Sequence, residues 1–274
     1  MVKYTITNGK TITKPFNKIW IVLAVLIALF IIFWQFIFYY PEMIKLSELP
    51  TIFISMFSPR NTPTVHRTWA DYFSYMLTLV TPIWETIQMS FAGAIIGSVL
   101  AIPIAILAAR NVFKYKWVNA PFRFLMNLFR TIPAMVLALI GMYFVGRGVL
   151  AGIIGLALFS FGIMAKMLYE VIETVDMNPF EALESTGANK TQAFRYAILP
   201  QIFPTFIGYL IYIFELNIRA SAILGYVGVR GIGSNIKESI DAGSYDRVGA
   251  AVIVLLLLII VVQFFSNYVR GKLQ

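Results

Sequence analysis

The sequence predicts an all-α integral membrane protein of about six transmembrane helices, with a polar helix–turn–helix elbow between the fourth and the fifth. Three observations predict it. Of 274 residues, 59% are apolar and 13% are charged, against roughly 45–50% and about 25% in soluble domains. One water-soluble core of this size does not hide that excess. The apolar residues are gathered into runs of about 20, the length that crosses a hydrocarbon layer of ~30 Å. The Lys and Arg residues sit in short segments beside those runs, with a bias between alternate loops.

The same composition excludes several classes. There is no Cys, so no disulfide, thiolate metal site or thiol nucleophile is available. The single histidine, His66, rules out a site needing two His ligands from this chain and reads as a solvated loop residue. The net charge of +9 is not arranged as a basic stripe with interleaved exposed aromatics, so nucleic acid is not an expected partner. Neither a metal cluster nor a nucleophile–His pair is present to support a membrane-embedded enzyme. Glycines at 225, 228, 231 and 233 suggest a phosphate loop, but GxxxxGK[ST] is absent and GxGxxG is not completed. A turn that lets backbones pack closely is the better reading. No cofactor is expected, and ATP is not expected to bind here.

The elements follow in order. Residues 1–18 carry Lys3, Lys10, Lys14 and Lys18 and no acid, which predicts a cytoplasmic tail. Span one runs from Ile19 to Tyr40. It is longer than the 7–15 residues of a signal peptide's apolar region, and Tyr39-Tyr40-Pro41 is no cleavage site, so an uncleaved helix is expected. Met43 to Phe57 is read as one or two interfacial helices, Pro59 to Pro63 as a turn, and Trp69 to Leu79 as an amphipathic helix along the external surface. Span two, Ile83 to Ala109, carries a Gly93/Gly97 pair for close helix approach and a kinking Pro103. Arg110, Lys114, Lys116 and Arg123 mark an inner turn. Span three, Phe124 to Val145, has Arg130-Thr131-Ile132-Pro133 near its inner end, and Gly146-Arg147-Gly148 turns outside. Span four, Val149 to Leu168, is rich in Gly and Ala and should pack against protein.

The elbow, Asn178 to Pro200, comes next. Asn178 is placed to cap a first helix with Pro179 at its first position and Glu181 at its third, a capping-box spacing. Gly187 falls where a left-handed terminating residue is wanted. Asn189 and Gln192 repeat the cap and start a second helix to about Ile198, and Leu199-Pro200 opens the next apolar run. Span five is Gln201 to Leu224, and span six is Val248 to Tyr268, with Arg270 and Lys272 finishing inside. On this topology 13 of the 22 basic residues lie on the elbow side and seven opposite, with Arg130 and Arg219 inside spans. The bias makes the elbow and both termini cytoplasmic.

Glu181-Ala182, Gly187 and Leu199-Pro200 keep the spacing of the EAA loop of permeases in binding-protein-dependent ABC importers, with Leu183 and Ala197 as departures. Thr86-Ile87-Gln88-Met89, Leu107 to Asn111, Arg130 to Pro133, Phe214 to Ala220 and the Gly225 to Gly233 region extend the likeness over roughly residues 80–270. The chain resembles the phosphonate importer permease family. The resemblance implies a type I importer with a MetI-like core at residues 81–270, preceded by an N-terminal part at 1–80. It further implies two permease copies, a cytoplasmic ATPase dimer that binds the ATP, and an external solute-binding protein. The implied solutes are phosphonates and, in relatives, phosphite or phosphate; more distant relatives carry methionine. By the same resemblance Phe180, Glu181, Ala182, Leu183, Gly187, Leu199 and Pro200 form the ATPase-coupling loop. Glu181 has a capping alternative, and Phe180, Leu183 and Phe194 have the alternative of packing on the chain's own spans.

Arg130, Glu215 and Arg219 are the candidate translocation-path residues. Ionisable groups within a span usually face protein or a water-filled cavity. Glu215 and Arg219 at i, i+4 also read as a self-neutralising pair, and Arg130 as a side chain snorkelling to the interface. The rival class is a channel or secondary transporter working without ATP; against it, the spans hold few ionisable residues beyond Glu215 and Arg219 and show no inverted repeat.

Overall fold

The computed structural model describes residues 3–5, 11–13, 19–39, 48–62, 65–112 and 115–273. Lys10, Lys14, Lys18, Tyr40, Lys45, Pro63, Lys114 and the Met43–Ser47 part of the interfacial stretch lie outside them. The chain divides into two compact units, Met1–Phe53 and Ile54–Gln274. The first contains the antiparallel strands β1 (Lys3–Thr5) and β2 (Thr11–Thr13) and the uniformly apolar helix α1 (Ile19–Tyr39). Helix α2 spans Leu49–Met56.

The second unit is helical apart from a small hairpin, β3 (Asn61–Thr62) with β4 (Val65–His66). Its long helices are α4 (Val80–Ala108), α7 (Val149–Thr174), α10 (Leu199–Leu224) and α12 (Tyr245–Leu273). Among the described residues, four runs are long and apolar enough to cross a membrane: Trp69–Ala108, Val149–Thr174, Lys190–Val227 and Tyr245–Lys272. A fifth crossing is available from a bent pair, α5 (Lys116–Thr131) and α6 (Ala134–Val145). The apolar stretch of α1 over Ile19–Gln35 is shorter than those four runs. Large apolar side chains stay exposed along α12, including Leu256, Val261, Phe264 and Phe265. A surface of that kind suits lipid, not water.

Three spans differ from expectation. Span three is not straight: α5 and α6 meet at 95°. Pro133 bars helical geometry at Ile132, whose ψ of 125° is extended. With 12 residues, α6 is only ~18 Å long. Helix α3 (Trp69–Thr78) does not lie apart along a surface but leads through Leu79, in right-handed helical geometry, into α4. Its N-terminus carries a Thr68–Asp71 capping box. Span five begins well before Gln201, because helix α9 (Lys190–Ala193), a π-helical turn (Phe194–Ile198) and α10 are continuous. Pro200 has no N–H to give and its ring crowds the carbonyl four residues back, and the wide turn just before it relieves both.

The core is built on α4 against α7. A Cβ on Gly93 would stand 2.7 Å from Leu156 Cβ, and one on Gly97 would stand 2.6 Å from Ser160 Cβ and collide with the Ala157 carbonyl. The Gly93/Gly97 pair therefore does what its spacing predicts. Asn217 of α10, fully buried, donates to the Ser90 carbonyl (3.2 Å) and to Ser160 Oγ (2.9 Å), tying α10 to both helices. At the end away from the elbow, residues 225–245 hold an unforeseen helix, α11 (Ile232–Asp241), preceded by a short 3₁₀ turn (Gly225–Val227). Gly231, at φ +117°, turns the chain into α11, whose Ile232 N–H donates to Thr86 Oγ1 (3.0 Å).

Asn217→Ala leaves Ser160 and the Ser90 carbonyl without this partner. It is expected to cost about 1–3 kcal/mol, seen as a lower unfolding temperature of the purified chain in detergent. An unchanged temperature refutes the tie.

Candidate functional site

The elbow is built from backbone hydrogen-bonding rules. Its first helix, α8, spans Asn178–Ser185. The expected Asn178 cap and Asn178–Glu181 capping box do not form. Met177 occupies the cap position, Pro179 the second helical position, and no side chain caps the helix. Asp176 supplies the missing acceptor instead: its Oδ1 takes the Asn178 N–H at 3.0 Å. At the other end Gly187 N–H reaches the Glu184 carbonyl (3.0 Å) and Ala188 N–H the Leu183 carbonyl (3.1 Å). That is a Schellman termination, and it needs the left-handed φ of +93° that Gly187 adopts. The second cap is as expected: Asn189 Oδ1 accepts Gln192 N–H (2.9 Å) and Gln192 Oε1 accepts Asn189 N–H (3.0 Å).

Polar side chains then pin the elbow to the helix ends around it. Gln201 accepts the Asp176 N–H (3.2 Å) and donates to the carbonyls of Asp176 (3.0 Å) and Ala197 (2.8 Å). This locks the end of α7 to the start of α10. One turn earlier Glu173 pairs with Arg123 of α5 and accepts the Arg110 N–H (2.8 Å). Arg123 donates to the Ala108 carbonyl through Nε (2.9 Å) and a terminal nitrogen (2.8 Å), and its guanidinium covers Tyr169 at 4.6 Å. Asn119 donates to the carbonyls of Leu107 (3.0 Å) and Ala109 (3.3 Å). These are terminal carbonyls of α4, which would otherwise lack partners. The ends of α4, α5 and α7 and the start of α10 thus form one polar frame.

On that frame the seven coupling-loop residues divide. Phe180 and Leu183 are half-buried against the core beside Ala197 and Ile198, as is Phe194. Glu181, Ala182, Gly187, Leu199 and Pro200 are exposed. Around Gly187, beyond its two chain neighbours, no heavy atom of the described residues comes within 4 Å of where a Cβ would be. The elbow holds to its own chain through one face of α8 and leaves the Glu181–Ala182 face open.

The candidate path residues also separate. Arg130 sits at the α5–α6 break, where its backbone N would lie 2.7 Å from a Cβ on Gly162. Its side chain is exposed and has no hydrogen-bond or ionic partner among the described residues. Glu215 is 5% exposed and pairs with Arg219 on its own helix. Sequence reasoning missed the third member. Arg270, expected at a free cytoplasmic end, stands 3.5 Å from Glu215 Oε2. It lines a cavity of about 410 Å³ with Thr205, Gly208, Tyr209 and Tyr212 of α10 and Met167 of α7. At the opposite end of the bundle a cavity of about 760 Å³ is lined by Arg147, Arg230, Lys237, Glu85 and Glu238.

A helical membrane bundle with a capped, half-docked elbow between two spans is the architecture expected of a transport permease subunit. The family described as "binding-protein-dependent transport system inner membrane component" matches residues 101–274, and the chain belongs to it. The phosphite transport system permease protein PtxC of Stutzerimonas stutzeri is 36% identical over 198 residues, 72% of this chain and 72% of that protein. The phosphate-import permease protein PhnE of Mycolicibacterium smegmatis is 35% identical over 195 residues, 71% of this chain but 37% of that protein's length. The D-methionine transport system permease protein MetI of Escherichia coli is 28% identical over 143 residues, 47% of this chain and 64% of that protein. Among solved structures, an inward-facing form of the MetNI methionine ABC transporter superposes with a TM-score of 0.66 at 22% identity, over 73% of this chain and 98% of that one. The MetI-like all-α fold is thereby established.

Gln201→Leu removes every side-chain bond between Asp176 and α10. Amides of residues 176–188 are expected to exchange about tenfold faster or more, at about 1 kcal/mol per bond lost. Gly187→Ala, strained at φ +93°, should raise exchange over the same residues by a similar factor at about 1–2 kcal/mol. Unchanged exchange in both refutes the pinned elbow.

Proposed function

We propose that this chain is the permease subunit of an ATP-driven importer for a phosphorus oxyanion of the phosphonate or phosphite kind. Its solute would arrive from a binding protein, and a separate ATPase would hydrolyse the ATP. The observation that carries the reading is the open Glu181–Ala182 face of α8, held at the junction of two spans by its own apolar face and the Gln201 clamp. Support for the solute class comes from the phosphite and phosphate permeases matched at 36% and 35% identity, against 28% for the methionine permease over a shorter stretch.

The mechanism follows from the attachment. An ATPase dimer that closes on ATP draws two elbows, one from each permease copy, toward each other. Because α8 is clamped to α7 and α10, and Glu173–Arg123 carries the same push to α5 and α4, the helix ends move together. The cavity between copies then turns outward, and hydrolysis turns it back. Excess Lys and Arg on the elbow side support a cytoplasmic elbow with both termini on that side.

Ala182→Trp fills the open face without helix strain. Phosphite uptake by cells expressing the chain with its ATPase and binding protein is expected to fall at least tenfold, and the ATPase should no longer co-purify. Full uptake in that variant overturns the coupling role. A cysteine at Ser185 should resist impermeant thiol reagents added to whole cells, and labelling there overturns the orientation.

A further inference from the structure

We infer that Arg270 forms a way station for the tetrahedral oxyanion inside the membrane, with Glu215, anchored by Arg219, as the resident anion that the solute displaces from Arg270. This rests on the oxyanion-importer reading above and deepens it.

Four observations meet at one place. Glu215 is a buried carboxylate in the middle of α10, flanked by a guanidinium from its own helix and one from α12. The two contacts are unequal. Arg219 donates a hydrogen bond to Oε1, whereas Arg270 stands 3.5 Å from Oε2, and Oε2 is buried without a hydrogen-bond partner among the described residues. An unbonded buried carboxylate oxygen is costly, so the Arg270 side is the one ready to exchange. The three side chains sum to one uncompensated positive charge within apolar spans, and a charge there is expensive without a counter-ion. Finally, Arg270 opens onto a cavity of about 410 Å³, within the range of small-molecule sites. Tyr209, Tyr212 and Thr205 on its wall carry hydroxyls that can donate to an oxyanion.

The chemistry suits the class. Two oxygens of a phosphonate or phosphite match the guanidinium fork as a carboxylate does. Arg270 also donates to the Ser266 carbonyl through Nε (3.4 Å) and to Asn267 Oδ1 (3.0 Å) through the terminal nitrogen that faces Glu215, so its contact with Glu215 can be given up while these bonds hold its position. When the solute arrives, Arg270 turns its free N–H groups to it and Glu215 keeps Arg219. When the solute leaves, Glu215 takes Arg270 back. The site then never holds two unshielded guanidiniums, and it never binds the anion so tightly that release fails.

The test uses the full transporter, with ATPase and binding protein, reconstituted in closed vesicles of zwitterionic phosphatidylcholine, with phosphite and methylphosphonate as probes. Arg270→Gln is expected to weaken binding of the transported probe to the ATPase-bound permease about tenfold or more. Glu215→Gln is expected to tighten it several-fold and to slow uptake. The double variant separates binding from structure: if the pair only braces α10 against α12, removing both charges restores uptake, whereas a way station stays defective. Restored uptake, or unchanged binding in both single variants, overturns the proposal while wild-type uptake leaves the importer reading standing. If the wild type takes up neither probe, the importer reading fails and the way station falls with it. Adding phosphatidylglycerol tests the other source of the same chemistry: if Arg270→Gln changes lipid retention and leaves probe binding alone, the cluster serves a headgroup and the proposal is overturned.

Discussion

The contact between α4 and α7 is the constraint on which the bundle depends. In lipid, apolar side chains gain nothing by leaving solvent for a neighbouring helix, so association rests on dispersion at close range and on hydrogen bonds. Gly93 and Gly97 bring α4 onto the backbone of α7 at Leu156–Ser160, leaving no room for a Cβ. Once the two backbones touch, Ser90 and Ser160 lie close enough for one side chain to serve both, and Asn217 does so. The position of α10 is inherited from that bond, and with it the places of Glu215 and of the elbow that opens the same continuous helix run.

The two ends of the bundle are held by different means. Away from the elbow, α11 is fastened by backbone proximity: Gly233 lies under the Ala222 carbonyl, and Thr86 accepts from Ile232. At the elbow the fastening is polar and made by long side chains. Arg123, Asn119 and Gln201 complete carbonyls that helix geometry leaves open. A frame of polar bonds to helix ends joins four helices outside the close glycine contact in the bundle. An element that receives a push from outside is better mounted on such a frame than on one packed interface.

What could be read from the sequence was whatever depended on local rules. The four long apolar runs, the Gly187 terminator, the Asn189–Gln192 cap and the Gly93/Gly97 approach each follow from a few neighbouring residues. What escaped depended on partners far along the chain. Asn178 lost the cap because Asp176, fixed by Gln201 twenty-five positions later, already held its N–H. Pro200 signalled a break but produced a π turn, because buried Ala197 and Ile198 keep the helix docked through it. Helix α11 was within reach, since Ile232, Ile236 and Ser239 share one buried face at helical spacing, but the glycines ahead of it drew attention to phosphate loops. Arg270 was the largest miss. At a chain end beside Lys272 it fits an interfacial anchor, and only the placement of α12 against α10 puts it at Glu215.

That placement changes what Glu215 means. A lone i, i+4 pair with Arg219 would neutralise itself, and replacing it with apolar residues would cost little. A second guanidinium removes that balance. A membrane-embedded chain that only needed to hold α10 against α12 has cheaper means, as its own glycine and Asn217 contacts show. Retaining two arginines around one acid, with Arg270 on the wall of a cavity among tyrosine hydroxyls, makes physical sense where a further negative charge comes and goes. The acid reduces the charge of the empty site from two to one, and it competes weakly enough to yield. A site built to pass an anion needs that competition more than it needs affinity, because an anion bound by two free guanidiniums away from water would leave slowly.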